Sequence, residues 1–206
     1  MDPVNRSLKD YFAGVEEPPG FSPAIVTKWL EDFLHFVMKN KASEAIDFGG
    51  GDTSLGQLVA TVPDLVAIME AAEVSPVLMV VLSPRVDDLA VLATLEGAGF
   101  SPRATAIVLN EGMADPTLPP SVAFAPILRH SVYKAAVARG AVPIWMPRLF
   151  CAAEVELRRI QFGQARDGII PEGRTMLPLS AFDRSKVGHW LRAMDTRFEP
   201  IKSWLP

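Results

Sequence analysis

Residues 77–84 read Val77-Leu78-Met79-Val80-Val81-Leu82-Ser83-Pro84, an unbroken apolar run closed by a Ser-Pro turn signal. The run is too short for a helix of ordinary length and lacks the polar alternation of a strand with one wet face, so it predicts a central strand covered on both sides. Its flanks repeat the theme. Downstream, residues 86–96 predict a helix ending at Gly97 or Gly99, residues 105–109 a strand, residues 125–139 a helix closed by Gly140, and residues 142–146 another strand. Residues 152–164 again look helical, with Glu154 and Arg158 placed for an i,i+4 pair. Upstream, Leu55, Leu58, Val59, Leu65, Val66, Ile68 and Met69 lie on a helix kinked at Pro63. Before that helix, Ala45-Ile46-Asp47-Phe48 predicts a short strand stopped by Gly49-Gly50-Gly51. Strand and helix thus alternate about four times, which defines an α/β fold with a mostly parallel sheet and helices on both faces.

The two ends differ from this middle. Residues 1–23 are rich in turn formers, with Asp2-Pro3, Gly14 and Glu17-Pro18-Pro19-Gly20. From residue 24 to 38, Ile25, Val26, Trp29, Leu30, Phe33, Leu34, Val37 and Met38 recur at helical spacing and form one wide apolar stripe. At the other end, residues 166–178 predict a loop and residues 180–197 a basic helix with Val187, Trp190, Leu191 and Met194 on one side. We therefore divide the chain into an α/β domain over residues 1–165 and a C-terminal helical appendage, residues 166–206, packed on the same domain.

Composition narrows the class. The chain has 206 residues, 49% hydrophobic and 21% charged, with no low-complexity tract, which excludes a disordered or collagen-like protein. Its one cysteine, Cys151, cannot form an internal disulfide. The longest uncharged run, Pro116 to Leu128, spans 13 residues, whereas a membrane-spanning helix needs about 20. No basic-then-apolar leader follows Asp2. A cytoplasmic protein without membrane contact is the expectation. The net charge of −4 conceals an asymmetry: residues 1–128 hold 7 Lys and Arg against 17 Asp and Glu, and residues 129–206 hold 13 against 7. The acidic part should repel nucleic acid. The basic part either contacts something acidic, DNA being the less favoured choice, or neutralises the rest within the fold or in a dimer.

In an open α/β sheet the ligand site lies beyond the carboxyl ends of the strands. The residues there are 47–52, Ser83-Pro84-Arg85, Asn110-Glu111 and Pro147-Arg148. Glycines between a strand and a helix, such as Gly49 and Gly50, let a phosphate approach backbone N–H groups; they also serve as a plain turn. No G-x-x-x-x-G-K-[ST] string exists in the sequence. Gly51-Asp52-Thr53-Ser54-Leu55-Gly56 misses the nucleophile-elbow pattern, because Asp52 stands where glycine is required, and Asp52 and Ser54 read better as helix caps. Asp47-Phe48-Gly49 matches a kinase triplet without the other kinase motifs. His35, His130, His189 and Cys151 have no partners at metal-ligand spacing.

Four features in order resemble a known family: Asp2-Pro3 in a turn, a hydrophobic-Asp-x-Gly-Gly segment at residues 46–50, an apolar strand ending in Ser83-Pro84, and Ile107-Val108-Leu109-Asn110. Over roughly residues 2–165 the chain is similar to the ParA/MinD-type P-loop ATPases, especially their plasmid-partition and conjugal-transfer relatives. The resemblance implies a P-loop NTPase-like fold in which Asp2 positions the attacking water, Asp47 assists Mg²⁺, Gly49 and Gly50 lie at the nucleotide, and Asn110 recognises adenine. The family's opening strand, Lys-containing glycine-rich loop, helix and second strand have no counterpart ahead of Met1, so the fold would be truncated. Phosphoryl transfer depends on positioning by that loop. The resemblance therefore implies a non-catalytic interaction module that holds no cofactor in this form, acting in plasmid partition or conjugation. The alternative is an ATPase that takes ATP and Mg²⁺ once missing N-terminal residues or another chain complete its site. A sheet lacking its first strand exposes an apolar edge, which predicts a homodimer; the identity of any other protein partner is left open.

Overall fold

A computed structural model describes residues 7–12, 14–49 and 51–206. A short helix, α1 (Ser7–Tyr11), precedes α2 (Pro23–Asn40), whose Pro23 sits in the first turn, where its missing N–H costs nothing. Val26, Leu30, Leu34 and Val37 form the buried face of α2 at the spacing read from the sequence. The chain then bends through α3 (Ser54–Thr61) and α4 (Leu65–Ala71), whose axes differ by 82° across Pro63. The expected kink is therefore a full break. Leu30, Leu34, Leu58, Val59, Leu65 and Met69 pack together, and Leu95 and Phe100 join them from the far end of the next helix.

The sheet follows. β1 (Val77–Leu82), β2 (Ala104–Asn110) and β3 (Val142–Met146) are parallel and lie in chain order, β1-β2-β3. Between β1 and β2 run a 3-10 turn, Val86–Asp88, and α5 (Leu89–Gly97). Between β2 and β3 run α6 (Pro120–Ala123), α7 (Ala125–Arg129) and α8 (Ser131–Ala138). The register sets Val80 beside Ile107 and Leu82 beside Leu109, and Ile107 beside Pro143. Side chains of this face meet Leu89, Leu92, Phe124, Ile127 and Ala136 from the helices in the largest core cluster, and Phe124 stands edge-on to Trp145 at 5.6 Å.

The opposite face carries Ala106, Val108 and Ile144. It is closed by the C-terminal region, which comprises α9 (Ala152–Arg158), α10 (Phe162–Asp167), α11 (Ala181–Phe198) and a final 3-10 turn, Glu199–Trp204. Phe198, Ile201 and Trp204 cover β2 and β3. A separate cluster of Cys151, Val155, Ile160, Ala165, Leu179 and Val187 ties α9 and α10 to α11.

Four expectations need correction. The unbroken apolar run at residues 77–82 predicts a central strand covered on both faces, but β1 lies at the edge of the sheet and exposes Val77, Met79 and Val81 on one face, because the C-terminal cover reaches only β2 and β3. Residues 45–48 do not form a strand, and the sheet has three strands, not four. Ile46 and Phe48 instead lay their side chains on the α2–α4 cluster, which offers the same burial without a backbone ladder. The helix expected at residues 125–139 is two, because His130 is extended and its Nδ1 accepts from the Val132 N–H to cap α8. The helix expected at 152–164 is also two. Arg159, at φ 48°, ends α9 in the left-handed region, and Gln161 and Gln164 form a capping box that starts α10.

Candidate functional site

Ligands of parallel sheets bind where strands end and helices begin, so the groups after β1, β2 and β3 define the candidate site. After β1, Ser83 is buried. Its N–H and hydroxyl both donate to one oxygen of Asp88, at 2.8 and 2.5 Å, and its own Oγ accepts from the Arg85 N–H at 3.3 Å. After β2, the Asn110 side chain turns back on its own loop: Oδ1 accepts from the Gly112 N–H at 2.9 Å. A Cβ at Gly112 would come within 2.9 Å of that oxygen, so a larger residue there would make the Asn110 side chain shift. Asp115, farther along, accepts from the N–H and the hydroxyl of Thr117 at 2.8 and 2.7 Å. Those two bonds, with help from the nearby Arg148 guanidinium, hold its carboxyl below the usual aspartate range. After β3, Arg148 donates to the Ala114 carbonyl, and Trp190 of α11 donates from Nε1 to the Pro147 carbonyl at 2.7 Å. Trp190 also rests against Phe162 at 4.6 Å between ring centres.

These strand ends are stitched together by their own polar side chains. Ser83, Asn110, Asp115 and Arg148 are engaged in shaping a turn or joining two loops, whereas the exposed Arg85 guanidinium has Asp87 beside it at 3.7 Å. Sequence reading pointed to Ser83, Asn110 and Arg148 but not to Asp88 or Asp115, whose bonds to residues five before and two after show no periodic signal.

The residues singled out by the resemblance fall elsewhere. Asp2 and Gly50 lie outside the described residues. Asp47 is exposed and sits outside any helix or strand, in the segment that leads to α3. Among the described residues no hydrogen bond or ion pair joins Asp47 to Gly49 or to Asn110. Gly49 accepts at its carbonyl from the Asp52 N–H at 3.0 Å, which makes the glycine segment a turn into α3. Asp52 then accepts from the Ser54 N–H and hydroxyl at 2.7 and 2.5 Å. Partial burial alone would raise the Asp52 carboxyl, but hydrogen bonds, those from Ser54 foremost, outweigh it and hold the group below its ordinary value. Among the described residues no three His, Cys, Asp or Glu side chains are grouped so as to hold a metal ion.

Part of the basic region is engaged in the same way, while among the described residues the buried Nε of Arg184 has no hydrogen-bond partner. Arg158 pairs with Glu154 at 2.7 Å and donates to the Leu177 carbonyl, Arg174 donates to the Arg158 carbonyl, Arg166 pairs with Asp167, and Lys186 pairs with Asp183. Cys151 is buried, and burial, with the charge of Asp183, pushes its thiol up, away from the reactive thiolate. No single helix among the described residues is long and apolar enough to cross a membrane.

Compared with protein-family models, with curated proteins and with solved structures, the chain finds no match. Its functional reading therefore rests on the fold and the strand-end geometry.

Proposed function

We propose that this chain is a non-catalytic interaction module of ParA/MinD-like type, serving plasmid partition or conjugal transfer. A parallel sheet whose strands end in Ser83-Pro84 and Asn110 supports the family reading. The observation that carries the non-catalytic part is the self-satisfied strand ends: Ser83 on Asp88, Asn110 on Gly112, and Arg148 on Ala114. A triphosphate needs charged donors free to turn toward it, and each bond it displaced here would have to be replaced at a similar strength. Much of the positive charge of the C-terminal region is likewise held in pairs and carbonyl contacts, which disfavours DNA as the partner and favours protein.

Titration calorimetry with MgATP is the test. We expect a dissociation constant no tighter than about 1 mM, equivalent to roughly −4 kcal/mol. Micromolar affinity would overturn the non-catalytic reading and favour an ATPase whose site is completed by residues outside this sequence or by another chain.

A further inference from the structure

The four most exposed large apolar side chains among the described residues are Phe182 (82%), Phe150 and Leu177 (80% each) and Leu157 (66%). All four border α9. The Cys151 thiol donates to the Asp183 carbonyl at 3.7 Å, which brings Phe150 and Phe182, each one residue earlier, to the start of that helix. At its other end Arg158 donates from Nε to the Leu177 carbonyl at 3.0 Å, so Leu177 arrives where Leu157 stands. Single exposed apolar residues are ordinary, but a group gathered along one helix marks a contact surface.

The ground between the two ends is small and partly polar. Ala153 is exposed and lies four residues before Leu157, hence on the same side of α9, while Val155 between them in sequence is buried. Glu154 and Arg158, paired at 2.7 Å, add an ion pair to this ground.

These features select an occupant. The surface is made of a helix, a loop and the first turn of α11, so it offers no ladder of backbone groups to a strand, and an incoming segment has to satisfy its own backbone, as a helix does. A bilayer would press the Glu154–Arg158 pair toward hydrocarbon and strip both charges of water, whereas a protein helix can set a polar side chain over it. Charge gives the sign. Arg174 is exposed, donates to the Arg158 carbonyl, and among the described residues pairs with no carboxylate; residues 129–206 as a whole hold 13 Lys and Arg against 7 Asp and Glu.

We propose that an amphipathic helix of a partner protein, acidic on its polar face, packs along α9 with its apolar side chains among Phe150, Leu157, Leu177 and Phe182. This rests on the reading of the chain as an interaction module, and adds to it the docking surface and the class of partner. Apolar burial supplies the affinity, and the basic surroundings choose an acidic helix over a basic one.

Fluorescence anisotropy with a labelled peptide of about 20 residues, long enough to hold a helix, tests this. The probe carries leucines at positions i, i+3, i+4 and i+7 of each turn pair and glutamates at most others. We expect saturable binding to the full chain at about 100 µM or tighter. The same peptide with lysines in place of glutamates should bind at least ~10-fold more weakly. Leu157→Ser combined with Phe182→Ser should also weaken the glutamate peptide by at least ~10-fold, and should keep the wild-type circular dichroism because both side chains are already exposed. Absence of binding overturns the proposal, as does a lysine peptide that binds equally well or a folded double variant that binds like wild type. Association with phosphatidylglycerol vesicles, or a dimer of the chain, that the double variant abolishes would assign the surface to lipid or to a second copy and overturn it too. Calorimetry with MgATP is independent of these results: micromolar nucleotide affinity would end the non-catalytic reading and leave the peptide site standing, and a silent peptide would not make nucleotide bind.

Discussion

Asp52 shows how much a single side chain does at the start of a helix. Its carboxylate takes both the N–H and the hydroxyl of Ser54, the first residue of α3, and so satisfies a donor that the helix cannot satisfy itself. Asp52→Ala should lower stability at neutral pH by about 1 kcal/mol, the usual cost of losing such a cap. Because the folded carboxyl is held below its ordinary value, its contribution is complete above the unfolded value and is lost as pH falls through the folded one. Urea unfolding of wild type and variant should therefore differ at pH 7 and converge in strong acid; an equal gap at both would show that the carboxylate charge is irrelevant. The sequence allowed both this reading and a catalytic one for the neighbouring glycines. Asp52 was legible as a cap because Asp before an apolar helix has a local job to do, whereas Ser54 is the first helical residue and donates to Asp52 rather than capping, and the backbone turn at Gly49 depends on no side chain at all.

At the scale of elements, β1, β2, β3, α2 and α11 were legible, and for a physical reason. β2, β3, α2 and α11 bury apolar residues against something else, so their period is written in the order of apolar residues, whereas the unbroken run of β1 marked a strand but not its place at the edge with one face exposed. Segment 45–48 misled because two apolar residues flanking an aspartate fit an edge strand and a coil lying on helices equally well; Ile46 and Phe48 do the latter. The breaks after Arg129 and Arg158 were hidden because the apolar spacing runs on into the next helix. Only the extended His130 and left-handed Arg159 mark them. Of the candidate site, the strand ends were legible from topology, but the internal bonding that engages them was not. Phe124 marks where the helical layer matters most. It is fully buried and packs edge-on to Trp145. Phe124→Ala should cost about 3–5 kcal/mol in chemical denaturation, and a loss below ~1 kcal/mol would mean that α6 and α7 move in to fill the space.

At the scale of the whole molecule, strand order matches chain order, and each strand pairs with the next one made. The β1–α5–β2 unit supplies its own strand ladder, although Leu95 also packs on the α2–α4 cluster and its sheet face on Phe124 and Ile127, and β3 adds to a ladder that already exists. The outer face of β2 and β3 differs, because its cover comes from Phe198, Ile201 and Trp204 at the far end of the sequence. During synthesis the sheet can therefore assemble from β1 forward while this face stays uncovered until residues 198–204 have been made. A chain stopped after Ser180 should keep the far-ultraviolet signature of the sheet yet bind more of a hydrophobic dye than the full chain, and equal dye binding by the two would refute this order. Docking of Phe198, Ile201 and Trp204 is thus the step that closes this face of the sheet, and before it Ala106, Val108 and Ile144 stand open to solvent.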